Sequence, residues 1–101
     1  MEIKHSAHAG TLESSDLTVT LQPATAGISI ALTSSVAKQF GDQIKQVVTA
    51  TLQKLGIQAA TVKVNDKGAL DCTVKARTIV AAYRAADKTD YDWEEINSWI
   101  N

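Results

Sequence analysis

The sequence predicts an α+β fold: a two-layer sandwich in which two helices cover one face of a small mixed β-sheet. Short segments with alternating apolar residues are typical of half-buried strands. One long stretch carries apolar residues at spacings of three and four, which is typical of an amphipathic helix. A later alanine-rich stretch without Gly or Pro favours a second helix. The predicted order is β-β-α-β-α, with an extra N-terminal strand as an option within residues 2–12.

The first two predicted strands follow a polar turn. Apolar and polar residues alternate over residues 17–22, and Pro23 ends this pattern. Gly27 allows the chain to turn before a second alternation over residues 28–32. We expect the second strand to run antiparallel to the first.

The clearest predicted helix spans about residues 36–55. Spacings of three and four residues place one set of mostly apolar side chains on the same face of this helix. They are Val36, Phe40, Ile44, Val47, Val48, Thr51 and Leu55. Gly56 stands where a left-handed C-terminal cap is favoured. A further alternation over residues 60–64 then predicts a third strand, which the turn at 65–68 ends.

The segment after this turn fits two periodicities. The residues that alternate as in a strand are Leu70, Cys72, Val74 and Ala76. Cys72 also begins a helical spacing, and the alanine content of residues 76–86 favours helix, so we predict one over about residues 71–86. This places Cys72 on the apolar side, where a lone cysteine usually serves as a small buried hydrophobe.

Length and charge restrict the classes of function. The 101 residues suit one domain, 1–101, with residues 87–101 as a C-terminal tail. Ten basic and 11 acidic residues give a net charge of −1, which argues against a nucleic-acid partner. No apolar run is long enough for a membrane span. The N-terminal sequence also lacks the pattern of a signal peptide, so we expect a cytoplasmic location. The lone Cys72 cannot form an internal disulfide, which suits a reducing compartment as well.

Metal and nucleotide sites are not indicated. His5 and His8 stand three residues apart, but a zinc site needs three or four convergent ligands, so we expect solvated histidines. Gly10 and Gly41 do not belong to a phosphate-binding loop pattern.

The C-terminal tail holds both tryptophans of the chain. Trp93, Ile96 and Ile100 would share a face if the tail forms a short helix. Two interpretations stay open. This face packs back on the domain, or it docks on a partner, since Trp is enriched at interface hot spots.

The polar turn Glu13-Ser14-Ser15-Asp16 precedes the strand predicted over residues 17–22. A serine here could be a nucleophile, a modification site or a plain turn former, and turn chemistry alone favours the last. A hydrolytic serine would need a base and an oxyanion hole, and the G-x-S-x-G pattern is absent. The residues alone therefore indicate an α+β domain without catalytic machinery of its own.

Three stretches of the chain resemble the acyl carrier proteins (gamma chains) of bacterial citrate lyase. They are residues 9–16, 34–42 and 66–72, and the similarity covers about residues 2–86. The resemblance implies that the serine of a Glu-Ser-(Gly or Ser)-Asp turn, here Ser14, carries 2'-(5''-triphosphoribosyl)-3'-dephospho-CoA through a phosphodiester. Ser15 stands where the family pattern often has glycine, which adds a neighbouring hydroxyl as a rival.

The resemblance also implies a function without catalysis. The carrier would hold acetyl and citryl thioesters while citrate is cleaved to acetate and oxaloacetate. Its implied partners are the alpha (transferase) and beta (lyase) subunits and a prosthetic-group transferase, with no nucleic acid and no membrane. A carrier of the malonate decarboxylase type, which uses the same group, and a non-catalytic protein-interaction domain remain alternatives.

Overall fold

A computed structural model describes residues 1–34 and 37–88, with side chains described at 1–34 and 41–88. The elements in chain order are β1 (Ala7–Gly10), β2 (Leu17–Gln22), β3 (Gly27–Ser34), α1 (Ala37–Lys54), β4 (Ala59–Asp66) and α2 (Asp71–Ala85). The predicted order of strands and helices is confirmed, including the optional strand at the N-terminus. The last strand is longer than predicted, because residues 65 and 66 continue it instead of beginning a turn.

The four strands form one mixed sheet in the order β1-β2-β4-β3. β2 pairs antiparallel with β4, where Val19 lies opposite Val64, and β3 pairs parallel with β4, where Ile30 lies opposite Val62. β2 and β3 therefore run in opposite directions, as expected, but β4 lies between them. The reason is that α1 connects β3 to β4 as a crossover, and such a connection allows parallel neighbours.

The core lies between one face of the sheet and the two helices. The fully or almost fully buried apolar strand residues on this face are Ala9, Leu17, Val19, Leu21, Ala60, Val62 and Val64. The opposite face carries polar residues such as Thr20 and Lys63, which stand opposite each other in the register. α2 packs on β1 and β2, α1 packs on β3, and the helices contact each other. The predicted two-layer sandwich is confirmed.

The apolar face of α1 follows the predicted spacing over its described part. Its buried residues are Ile44, Val47, Val48, Thr51 and Leu52, and Leu55 follows directly after the helix. Val36 and Phe40 lie outside the described side chains. Gly56 has a φ of +74° and donates to the Gln53 carbonyl, while Ile57 donates to Leu52, which is the Schellman pattern of a helix end.

The expectation that Cys72 lies on an apolar face is wrong, because its side chain is exposed. The face of α2 that packs on the sheet includes Val74, Thr78 and Ala81. Cys72 precedes Val74 by two residues in the first turn. At 3.6 residues per turn it points about 200° away from Val74 around the helix.

The C-terminal tail is described only to Lys88, so the expected helix face of Trp93, Ile96 and Ile100 lies outside the described residues. Within the described part of the chain, no helix combines the length and the hydropathy of a membrane span.

Candidate functional site

Residues 11–16 connect β1 to β2 and contain a tight turn. The Asp16 N–H donates to the Glu13 carbonyl at 3.2 Å, which closes a four-residue β-turn with Ser14 and Ser15 in the centre. Ser15 has a φ of +66°, whereas φ at Ser14 is not positive. These are the φ signs of a type II turn, whose second central position favours glycine. The left-handed backbone therefore falls on Ser15 and leaves Ser14 in ordinary geometry.

The Ser14 side chain is exposed to solvent. Within residues 1–34 and 37–88, its hydroxyl takes part in no hydrogen bond, while the neighbouring Ser15 N–H donates to the Lys67 carbonyl at 2.8 Å. Leu12, two residues away, is a large apolar side chain that is 58% exposed. The loop thus exposes both a hydroxyl, on Ser14, and a large apolar side chain, on Leu12.

Asp16 connects this turn to helix α2. Arg77 donates from Nε to Oδ1 at 3.1 Å and from Nη2 to Oδ2 at 2.8 Å. The guanidinium therefore binds both carboxylate oxygens in a bidentate arrangement. The Thr11 hydroxyl donates to Oδ2 at 2.6 Å, and the Leu17 N–H donates to Oδ1 at 2.8 Å. Arg77 first, and then Thr11, hold the pKa of the Asp16 carboxyl well below its usual range. The side chain of Asp16 therefore stays ionised and holds both ends of the loop.

The end of strand β4 supports the same turn from the other side. The Ser15 N–H donates to the Lys67 carbonyl at 2.8 Å, and the Lys67 N–H donates to the Asp16 carbonyl at 2.9 Å. These bonds continue the β2–β4 pairing beyond the last register pair, Leu17 with Asp66. The turn backbone is thus attached to the sheet as well as to α2.

A buried carboxylate shapes the connection from β4 to α2. Asp66 is fully buried and accepts from the Ser34 hydroxyl at 2.8 Å and from the N–H groups of Gly68 and Ala69 at 3.1 and 3.0 Å. Because these bonds satisfy the carboxylate, it can remain in the interior. Asp66 thereby joins the end of β3 to the turn that leads into α2, the helix that carries Arg77.

Gly10 allows the loop to leave β1. Its φ is +102°, and a Cβ added there would lie 1.8 Å from the Leu17 carbonyl oxygen. No side chain fits at this distance, so glycine is required where the two ends of the loop pass each other.

The other candidate residues do not join this site. His5 is exposed, and its ring nitrogens face the Ser6 carbonyl oxygen and Asp87 Oδ1. The Ser6 carbonyl first, and then Asp87, raise the pKa of His5. His8 lies exposed in β1. Over the described ranges, no group of His, Cys, Asp and Glu side chains is arranged to hold a metal ion.

Ser14 was predicted as the site residue and stays a prediction, whereas the contacts that hold its turn were not predicted. Arg77 lies 61 residues from Asp16 in the chain, so no local pattern connects them. For Gly10, the available signal was its position inside the stretch 9–16, which resembles the carrier family.

Comparison with known proteins shows the family of the chain. The family model described as "ACP: Malonate decarboxylase delta subunit (MdcD)" matches residues 4–85. The citrate lyase acyl carrier protein of Lacticaseibacillus casei (strain BL23) is 67% identical over 101 residues, the full length of both chains. The protein of the same name from Streptococcus mutans serotype c is 58% identical over 100 residues, 98% of each chain.

A solved structure shares the fold. It is a chain of a Pseudomonas malonate decarboxylase hetero-tetramer in complex with malonate, with a TM-score of 0.71 and 23% identity over 82% of this chain and 86% of that one. Its likeness supports the α+β sandwich. The identity to the curated relatives goes further, because it extends over the whole sequence. The chain is a carrier subunit rather than a catalytic one, and it belongs to the citrate lyase acyl carrier protein family.

Proposed function

We propose that Ser14 is the attachment point of the covalently bound prosthetic group that an acyl carrier implies. The observation that supports it best is the exposed Ser14 hydroxyl at a turn whose backbone is held on two sides, by Lys67 and by the Asp16–Arg77 pair. An enzyme that modifies a serine needs access to the oxygen, and a firmly held turn offers that oxygen in one position.

Ser14 is favoured over Ser15 by the backbone. Ser15 occupies the left-handed position, with φ of +66°, and this position suits glycine. The backbone at position 15 thus favours a residue without a side-chain oxygen, and this favours the hydroxyl of Ser14 as the attachment point.

The group that we propose is 2'-(5''-triphosphoribosyl)-3'-dephospho-CoA, joined to Ser14 Oγ by a phosphodiester. Two basic residues contact the turn, Lys67 through its backbone and Arg77 through the Asp16 carboxylate, and basic residues beside the turn suit an anionic linkage. When attached, this group supplies a terminal thiol that holds acyl groups as thioesters.

In this proposal, the protein holds the attachment point of the prosthetic group in a fixed position. Asp16, Arg77 and Lys67 fix the anchor, so the reach of an acyl group is set by the length of the arm rather than by movement of the loop. A tethered acyl group meets its catalytic sites at a high effective concentration. We propose the alpha (transferase) and beta (lyase) subunits as those sites and a dedicated transferase for loading. The proposal places the complex in the cytoplasm, where a thiol stays reduced.

Intact mass tests the proposal directly. The chain is produced with and without the loading enzymes of a citrate lyase operon, together with the variants Ser14→Ala and Ser15→Gly. We expect added mass on the wild type and on Ser15→Gly only when the loading enzymes are present, and none on Ser14→Ala. The thermal midpoint of the unloaded Ser14→Ala chain should equal that of the wild type, because an exposed turn hydroxyl contributes little to stability.

Peptide mapping gives the decisive contradiction. If the added mass lies on Ser15, or if Ser14→Ala still gains it, the assignment of Ser14 is wrong. The loaded carrier is then mixed with purified alpha and beta subunits, and citrate cleavage is expected only when Ser14 is loaded.

A carrier of the malonate decarboxylase type is the second candidate, because the matching family model carries that description. The same loaded protein separates the two. Activity with citrate lyase subunits supports the first function, and activity only with malonate decarboxylase subunits supports the second.

A further inference from the structure

A groove of about 280 Å³ lies between helices α1 and α2. Val47 and Ile79 are buried in its floor, and Ala50 is exposed at its edge. The polar residues that complete its lining are Gln43, Gln46, Thr51, Lys54 and Lys75. The groove is therefore apolar inside, has two lysines and no acidic residue among its described lining residues, and belongs to no part of the Ser14 site.

The chain that continues beyond α2 is long enough to reach this groove. The described chain ends at Lys88, whose N–H donates to the Tyr83 carbonyl at 2.9 Å, just beyond the end of α2. Ile79 and Lys75 lie six and ten residues before the last residue of α2, which is about 9–15 Å along the helix. Residues 89–101 would span about 20 Å as a helix and about 40 Å if extended.

The composition of this segment complements the groove. Residues 89–101 contain both tryptophans of the chain, two isoleucines and no basic residue. The acidic residues of the segment are Asp90, Asp92, Glu94 and Glu95. An apolar floor with lysines at its rim suits a segment that combines aromatic and acidic side chains.

The two kinds of comparison differ in whether they include the C-terminal segment. The family model stops at residue 85, whereas the alignment with the Lacticaseibacillus casei carrier extends to the end of the chain. This is consistent with a segment that is added to the family-wide domain and shared among citrate lyase carriers.

We propose that residues 89–101 bind the groove between α1 and α2 of their own chain, with apolar side chains on Val47 and Ile79 and acidic side chains towards Lys54 and Lys75. The occupant is thus the C-terminal segment itself rather than a partner subunit. Its binding covers the helix layer and leaves the Ser14 turn unaffected.

Tryptophan fluorescence tests this, because Trp93 and Trp99 are the only tryptophans and both lie in the segment. In the full, unloaded chain we expect blue-shifted emission and weak quenching by acrylamide. Ala50→Glu places a carboxylate at the groove edge and should shift emission towards that of free tryptophan and increase quenching severalfold. The matched control is Ser29→Glu, an exposed site on β3 away from the helices, which should change neither.

A second measurement keeps the proposal testable if Ala50→Glu proves unstable. Lys75→Glu reverses a rim charge and should also increase quenching, whereas Lys63→Glu on the polar face of the sheet should not. Wild-type emission equal to that of free tryptophan would overturn the proposal and indicate a segment that is open to a partner. Emission that depends on protein concentration would overturn it in favour of a second copy as occupant.

Discussion

Arg77 of helix α2 binds both carboxylate oxygens of Asp16, at 3.1 and 2.8 Å, in the turn that carries Ser14. The two residues are 61 positions apart in the sequence, so this pair joins the helix layer to a loop of the sheet. The Asp16 side chain is 14% exposed and that of Arg77 is 39% exposed. Because the carboxylate is largely shielded from water, removing Arg77 would leave a charge there without its partner.

The first prediction concerns the energy of this pair. Asp16→Asn should lower the free energy of unfolding by about 1–3 kcal/mol, because it removes a charge-assisted bidentate contact. Arg77→Met should cost a similar amount. The double variant should cost little more than either single variant, since both remove one interaction. Urea denaturation measures all three. Costs that simply add would show that the two residues do not stabilise the fold through each other.

The second prediction concerns acid stability. Arg77 first, and then Thr11, lower the pKa of Asp16 in the folded chain. A lowered carboxyl pKa contributes stability that is present above the unfolded value of about 4 and is lost as the pH falls through the folded value. Unfolding curves between about pH 5 and pH 2 should therefore show a loss in the wild type that is smaller in Asp16→Asn. Parallel losses in the two proteins would contradict this.

The third prediction compares two glycines. Gly10→Ala should cost more than about 3 kcal/mol, because the new Cβ would lie 1.8 Å from the Leu17 carbonyl oxygen and the backbone would have to move. Gly27→Ala is the matched control. Its φ is +74° with no atom within 4 Å, so it should cost only the left-handed strain, about 1–2 kcal/mol. Equal thermal midpoints for the two variants would disprove the close approach at Gly10.

The elements that the sequence predicts correctly are those with a local periodicity. The helix α1 and the alternation in β2 each repeat a burial pattern within one segment, so the pattern can be seen without knowing the partner surface. The position of β4 between β2 and β3 has no such signature, because it depends on which strand edges meet after the crossover. The burial of Cys72 was mispredicted for a similar reason. Its spacing fits a helix, but in the first turn of α2 its side chain points away from the sheet.

In the candidate site, too, only the local features could be predicted from the sequence. A turn is predictable from Glu13, Ser14, Ser15 and Asp16, but turn composition alone does not distinguish an attachment site from an ordinary turn. The prediction that Ser14 is the attachment site came from the resemblance to a family. The contact with Arg77 arises only when α2 folds over the loop, so it could not be read from either segment.

The last prediction concerns Ser15, whose left-handed φ of +66° strains any residue except glycine. Ser15→Gly should relieve about 1–2 kcal/mol of this strain. The greater freedom of glycine in the unfolded chain offsets about 0.4–1 kcal/mol. A net gain in stability of about 0.8 kcal/mol remains at the middle of these two ranges.

Two further variants isolate the backbone effect. Ser15→Ala removes the same hydroxyl without relieving the strain, so it should be less stable than Ser15→Gly. Ser14→Gly should be destabilised, because φ at Ser14 is not positive and glycine brings only its entropic cost there. Chemical denaturation of the unloaded chains measures these differences. If Ser15→Gly is no more stable than Ser15→Ala, position 15 does not need glycine, and the backbone argument for Ser14 as the attachment residue loses its basis.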